Sequence, residues 1–290
     1  MPHLKKTLLA AKLGLARSTL YYRSKKKGPD EQARQLIEAV MASNPSYGHR
    51  RVALALGWNH KKANRLMRKF NLKPRIRRGQ SWQKRGDLGL EPASYQNLVA
   101  NWCPGAPDIV WYADFTYLRV GDSFIYLATV IDGYTKEILG LGLSSRHNRQ
   151  LVKEATLDAI TRRDTLPQYF HSDQGSEYQS EEQLSWLESM GIIISMSNKA
   201  SPWQNCYQES FYSQFKLELG NLNHLTLGEV AEKIYRQIYY YNHLRIHTTL
   251  KMPPRQFYLA KRVDKSVWRR GYLPDITGFA ITLSLERNWK

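Results

Sequence analysis

The sequence predicts an α/β protein: a mixed five-stranded sheet with helices, preceded by a helical region. Three observations predict it. Residues 109–120, 123–131 and 138–143 are β-rich runs, the first two split by Gly121-Asp122 in the manner of a hairpin. From there to residue 219, helical and strand patterns alternate, the pattern of a sheet covered on its faces. The first 72 residues read instead as short helices separated by turn signals.

Taken in order, residues 7–13 predict a helix, Gly14 a turn and residues 16–23 a second helix, a first small helix-turn-helix pattern. Residues 31–41 are helical, Ser46-Tyr47-Gly48 opens a helix that runs through Leu56, and Gly57-Trp58 turns the chain. Asn59 then caps a helix over residues 60–70. In it Ala63, Leu66, Met67 and Phe70 recur at helical spacing, leaving Lys61, Lys62, Arg65, Arg68 and Lys69 on or beside the outer face. Residues 73–107 read as a basic linker rich in glycine and proline. After the three β runs come a helix at 149–163, a buried strand at 169–172, a helix at 181–190, a strand at 192–196 and a helix at 208–219. That order is the order of an RNase H-like core, placed at residues 108–222. A C-terminal helix and basic tail fill 223–290.

The net charge of +18 is unevenly spread. Residues 1–90 hold 22 Lys and Arg against 4 Asp and Glu, residues 91–244 hold 11 against 18, and residues 245–290 hold 10 against 3. An acidic middle flanked by basic ends attracts a polyanion at both flanks and repels it from the middle unless cations intervene. No run of eighteen apolar residues occurs, and the N-terminus lacks a continuous apolar stretch, so neither a membrane span nor a signal peptide is expected. Cys103 and Cys206 show no metal-ligand or disulfide-framework spacing and are expected to be reduced thiols in the cytoplasm.

Three carboxylates stand in separate apolar or aromatic settings: Asp114 in WYADFTYL, Asp173 in YFHSDQGSEY and Glu209 in QNCYQESFYSQF. Asp114 lies within the first predicted strand, Asp173 ends the fourth and Glu209 lies in the first turn of the last core helix. If the first and fourth strands are neighbours, the two aspartates come side by side. Such a cluster is costly without cations, and two Mg²⁺ or Mn²⁺ ions would supply them, with Asp114 bridging. Asp132 is the rival ligand, but its IDGY turn suggests a structural role.

The chain resembles an insertion-sequence transposase of the IS-three group, the OrfB-type D,D,E members of the retroviral integrase superfamily. The resemblance is carried by SYGHRRV and RLMRKFNLK in the basic arm, by WYADFTYL, YLATVIDGYTKEILG, HSDQGSEYQS and NCYQESFYSQFKLEL in the core, and by YYNHLRIHTTLKMPPRQF after it. The 35 residues between Asp173 and Glu209 equal the spacing that names the D,D-35-E superfamily. The resemblance implies metal-dependent cleavage at element ends and strand transfer by a 3′-hydroxyl, with Asp114, Asp173 and Glu209 as metal ligands. It also implies DNA as partner, a homo-oligomer, a bacterial, nucleoid-associated setting, and an upstream helix-turn-helix protein supplied separately or by frameshift fusion. Many relatives have Asp-Asn-Ala shortly before the glutamate; this chain has Gln204-Asn205-Cys206, keeping only the asparagine.

Candidate phosphate contacts are Arg17, Arg50 and Arg51, the five cations of the 60–70 helix, and Arg75, Arg77 and Arg78 of the linker. Lys216, seven residues after Glu209, shares its helix face and either holds a phosphate or is simply solvated. Arg245 and His247 match the family motif as further DNA contacts. His171 either orients a ligand or makes a structural hydrogen bond, and Asn205 supports the site. Tyr235, Tyr239, Tyr240 and Tyr241 either stack on bases or pack internally; Val230, Ile234, Ile238 and Tyr241 form a helical stripe, so most of this aromaticity is read as core. Residues after Phe257 are expected to form a strand-rich tail. Two other functions compete: a domesticated DNA-binding regulator with a structural core, and a simple ribonuclease H.

Overall fold

The computed structural model describes residues 6–21, 27–75, 95–100, 102–146, 148–198 and 201–270. The chain divides into two compact units, Met1–Ile76 and Arg77–Lys290.

The first unit is helical. It contains α1 (Lys6–Lys12), a 3₁₀ turn (Arg17–Tyr21), α2 (Lys27–Ser43), α3 (His49–Leu56) and α4 (His60–Lys69). Asn59 caps α4, its side chain accepting from the Lys61 amide at 2.8 Å. Ala63, Leu66 and Met67 are buried along it, as the spacing predicts. Gly57 ends α3 at φ +64°, a left-handed position that costs glycine nothing. The second helix-turn-helix pattern therefore becomes α2 to α4. The first is formed in part: after α1 and the turn at Gly14, Arg17–Tyr21 is a 3₁₀ helix rather than an α-helix, with no buried residue, and residues 22–23 lie outside the described residues. A segment that buries no face has only propensity to hold it helical, too little at that length.

The second unit is built on a sheet of order β3-β2-β1-β4-β5. The strands are β1 (Val110–Val120), β2 (Ser123–Asp132), β3 (Ile138–Ser144), β4 (Tyr169–Ser172) and β5 (Ile193–Met196). The first three pair antiparallel, while β4 and β5 add in parallel beside β1. Helices α5 (Arg149–Arg163) and α6 (Glu181–Ser189) connect the later strands, and α7 (Cys206–Leu219) follows β5. This is the RNase H-like core, with element bounds within about two residues of those the sequence predicts.

Each sheet face buries its own core. On one, Leu118, Leu127 and Ile131 meet Phe211 and Phe215 of α7 and Ile234 of α8 (Leu227–His243). On the other, Trp111, Ala128 and Val130 meet Leu151 and Ala155 of α5 and Leu187 of α6. The glycines of β3 allow α5 to press in, because a Cβ at Gly140 would lie 2.0 Å from the Ala155 carbonyl oxygen.

Part of the expected linker belongs to the sheet. Met196 donates to the Gln96 carbonyl at 3.3 Å, Leu98 donates to Ser195 Oγ at 2.9 Å, and Val99 is buried against Val110 and Tyr112. The chain there covers the free edge of β5, which would otherwise expose unpaired backbone groups. At the C-terminal end, α9 (Pro254–Arg270) replaces the expected strand-rich tail as far as residue 270. The apolar run 277–285, like Arg77 and Arg78, lies outside the described residues. No helix among the described residues is long and apolar enough to cross a membrane.

Candidate active site

The ladder between β1 and β4 is short: Val110, Trp111 and Tyr112 pair with Tyr169, Phe170 and His171. Continuing that register by two residues brings Asp114 level with Asp173. Asp114 faces Thr129 across the other ladder, with β2. Its Oδ1 accepts from the Phe115 amide at 2.8 Å. The Asp173 Oδ1 accepts from the Gly175 amide at 3.0 Å, and a Cβ at Gly175 would come as close as 3.0 Å to that same oxygen. A side chain at residue 175 would therefore crowd the carboxylates of Asp173 and Glu177.

Glu209 is positioned by its neighbours on α7. Gln208 donates to the Tyr112 carbonyl at 2.7 Å and the Thr129 carbonyl at 2.9 Å, while its own oxygen accepts from the Thr129 hydroxyl. Tyr212 donates to the Asp114 carbonyl at 2.7 Å. Asn205, just before the helix, donates to the Ala113 carbonyl at 3.1 Å. Three successive carbonyls of β1, ending at that of Asp114, are thus held by side chains bracketing Glu209. Neither Gln208 nor Tyr212 stands out in the sequence as a site residue. The available signal was a polar residue inside the buried stripe Gln208, Phe211, Tyr212, Phe215.

Electrostatics link the three acids. Burial, then the negative charge of Asp173, push the Asp114 carboxyl up to about 8; the Phe115 amide opposes the shift and Glu209 adds to it. Burial raises Asp173 and Glu209 as well. Tyr178, buried beneath them and stacked against Phe115 at 6.5 Å, supplies part of the low-dielectric wall. Among the described residues, no three His, Cys, Asp or Glu side chains close into a ready-made metal cage. Mutual repulsion of carboxylates favours an open arrangement.

Other expected residues fall differently. His171 is fully buried, its Nδ1 2.9 Å from Ser195 Oγ and its ring edge-on to Tyr112 at 5.3 Å, so it faces into the sheet. Asp132 accepts from the amides of Tyr134, Thr135 and Asp108 and from the Thr135 hydroxyl, a structural set of bonds. Arg245 corrects the expectation of a DNA contact. It is 2% exposed and donates to Glu218 at 3.0 Å and Gln214 at 3.2 Å, so a buried ion pair consumes it. Lys216 lies near enough to act on the Asp114 carboxyl and stands 5.0 Å from the Tyr117 ring centroid. Tyr235 and Tyr239 are exposed, correcting their reading as core; Tyr241 is buried.

In the helical unit, Arg65 and Lys69 both bond Asp30, at 2.7 Å each, tying α4 to α2. Lys61, Lys62 and Arg68 remain exposed on α4, with Arg50 on α3. Lys62 stands 3.8 Å over the Trp58 ring. Arg17 is exposed, Arg51 is partly buried near the Tyr47 ring, and the Arg75 amide donates to Pro45.

Comparison with known proteins decides the family. The integrase core domain matches residues 104–202, and a second integrase core model matches residues 190–254. The putative transposase InsK of the insertion element IS150 of Escherichia coli is 31% identical over 82% of this chain and 87% of that protein. The chain belongs to the insertion-sequence transposases of the integrase-core family. The transposase of IS904 from Lactococcus lactis is 38% identical, over 50% of this chain and 58% of its own length. The HTLV-2 integrase catalytic core domain, solved in complex with magnesium, aligns with a TM-score of 0.45 at 16% identity, covering 53% of this chain and 97% of that one. As an integrase-core transposase the chain is a polynucleotidyl transferase working in DNA transposition, and the regulatory alternative is not favoured.

Proposed function

We propose that this transposase cleaves and joins DNA at Asp114, Asp173 and Glu209, at the ends of its insertion element. One observation supports the reading: the β1–β4 ladder ends at Tyr112 and His171, two residues before Asp114 and Asp173 respectively, and side chains on both sides of Glu209 are bonded to the β1 carbonyls of residues 112–114. The donor set fits a divalent cation, since three partly buried carboxylates with raised proton affinities are relieved by positive charge. When bound there, Mg²⁺ or Mn²⁺, two ions in our reading, would activate a water or 3′-hydroxyl and stabilise the leaving oxygen.

The chain's own groups do the rest. Asp114, Asp173 and Glu209 would hold the ions, and Lys216 would hold a phosphate beside them. Gln208, Tyr212 and Asn205 fix the separation of helix and strand, and the wall formed by Phe115 and Tyr178 limits water. In the helical unit, Lys61, Lys62, Arg68 and Arg50 would neutralise DNA phosphates. Holding two element ends requires a multimer, and an upstream helix-turn-helix protein would supply further end recognition. The protein would work where the DNA is, at the nucleoid.

The test is strand transfer on labelled element-end DNA with Mg²⁺ or Mn²⁺, comparing Asp114→Asn, Asp173→Asn and Glu209→Gln with the unmutated chain. Each variant should bind DNA and lose products by at least about a thousandfold, the scale of removing a transition-state charge contact. Unchanged products in any one variant would remove that residue from the site.

A further inference from the structure

We propose that a cavity in the helical unit, between the start of α3 and the end of α4, seats one phosphodiester of the DNA backbone, gripped by Arg68 and Lys73. The cavity, about 300 Å³, is lined by His49 of α3, by Asn64, Met67 and Arg68 on one face of α4, and by Asn71 and Lys73 where the chain leaves that helix. At about 30 Å³ per water it has room for about ten waters, enough for a phosphate and the sugar attached to it. Its outer wall is held in place. Asn71 takes a left-handed φ of +53°, the Leu72 amide donates to the Met67 carbonyl at 2.8 Å, and the Arg75 amide donates to the Pro45 carbonyl at 2.7 Å, which brings the segment back beside the residues that open α3.

Charge selects the occupant. The acids within residues 27–75 are Asp30, Glu31 and Glu38, and Arg34, Arg65 and Lys69 hold them. Arg68 and Lys73 are exposed and have no acidic partner among the described residues. His49 reports the positive field that results: burial, then the charges of Arg50, His60 and Arg68, hold its imidazole below the ordinary value of 6.5. Asn64 and Asn71 add neutral amide donors to the same walls. An apolar side chain seated there would desolvate the cations with nothing in return. A phosphodiester brings one negative charge and oxygens that accept from guanidinium, ammonium and amide together. Lys61 and Lys62 stand apart from the cavity, Lys62 over the Trp58 ring, so they attract DNA without enclosing it. The site rests on the reading above that the helical unit binds DNA, and adds where one phosphate is held.

The experiment uses the full chain without metal and a labelled element-end duplex in which single phosphodiesters are replaced, one position at a time, by uncharged methylphosphonates. For the unmutated chain, replacement at the seated position should weaken binding about tenfold, the size of one charge-assisted contact. Arg68→Gln combined with Lys73→Gln should weaken binding of the unmodified duplex by at least as much and lower its salt slope by about one phosphate contact. The same double variant should lose sensitivity at the seated position and keep it elsewhere. Lys61→Gln combined with Lys62→Gln should weaken binding yet leave the seated position sensitive. All four lysines and arginines are exposed, so far-ultraviolet spectra of both double variants should match the unmutated chain. Absence of any sensitive position in the unmutated chain, or unchanged sensitivity everywhere in the Arg68 and Lys73 variant, would overturn the proposal. In that event the Lys61 and Lys62 variant judges the underlying reading: weakened binding preserves a DNA-binding helical unit, and unchanged binding removes it. A loss of multimer in sedimentation by the Arg68 and Lys73 variant, with DNA affinity unchanged, would also overturn the proposal and assign the cavity to an acidic segment of another copy.

Discussion

Gln208 reaches from α7 to the Tyr112 carbonyl at 2.7 Å, and the same amide nitrogen reaches the Thr129 carbonyl at 2.9 Å, so one side chain joins a helix to two strands. Both oxygens belong to residues flanking Asp114 in the sheet, and the next residue on the helix is Glu209. A hydrophobic residue of similar size keeps the packing and orphans the polar groups. Gln208→Leu is expected to cost about 2–4 kcal/mol of stability, the desolvation penalty of buried unsatisfied groups. Below its lowered melting temperature the variant should remain folded yet transfer strands poorly, because the helix is no longer held in register with β1. Denaturant unfolding and strand transfer on the same preparation check both halves.

The helical unit should carry an acid-sensitive lock. The Arg65 guanidinium, then the Lys69 ammonium, hold the Asp30 carboxyl well below the usual carboxylate range. A depressed folded-state pKa contributes stability that is fully present above the unfolded value, near 4, and lost as pH falls toward the folded value. Melting of the helical unit should therefore fall as pH drops below about 4, and Asp30→Asn should flatten that part of the profile. An unchanged slope in the variant would mean that Asp30 does not hold α2 to α4.

Much of this was legible in the sequence, for identifiable reasons. The bounds of α5 and β4 could be read because their apolar spacing and end signals agree with one another. Asp114 and Asp173 stood out as acids among aromatic and β-branched neighbours. Gln208 did not, because a glutamine beside a glutamate reads as a solvated helix face until strand carbonyls come within its reach. Arg245 misled for the converse reason. A family motif fixes which residue is present, while only packing shows that Glu218 has already taken its charge. At Arg17–Tyr21 the local pattern alone predicts an α-helix, and with no buried face to sustain it the chain forms a short 3₁₀ helix instead.

Close packing predicts a sharp contrast between two glycines. A Cβ at Gly140 would lie 2.0 Å from the Ala155 carbonyl oxygen and 2.5 Å from the Ala159 nitrogen, both backbone atoms. Gly140→Ala should force α5 off the sheet and cost about 3 kcal/mol or more, enough to leave little folded core. At Gly57 nothing lies within 4 Å, and only the left-handed φ of +64° opposes a side chain. Gly57→Ala should cost about 1 kcal/mol. Thermal melts of the two variants, with the far-ultraviolet signal separating helical unit from sheet, measure the difference.

Two cations near α7 should behave as opposites when removed. Arg245 is buried in a pair with Glu218, so Arg245→Ala strands a carboxylate that is itself mostly buried and should destabilise the fold by about 3 kcal/mol. Its folded fraction should bind DNA as before, because the guanidinium is buried against Glu218 and Gln214. Lys216 stands beside the Tyr117 ring and acts on the Asp114 carboxyl from a partly exposed position, so Lys216→Gln should leave the melting temperature within about a degree. Strand transfer should fall about ten- to a hundredfold, and the remaining activity should depend less steeply on salt, by about one phosphate contact. A stable, fully active Lys216→Gln chain would show that the lysine is only solvated. A loss of DNA binding by folded Arg245→Ala would instead return that arginine to the interface, and the Glu218 pair would then have to open when DNA arrives.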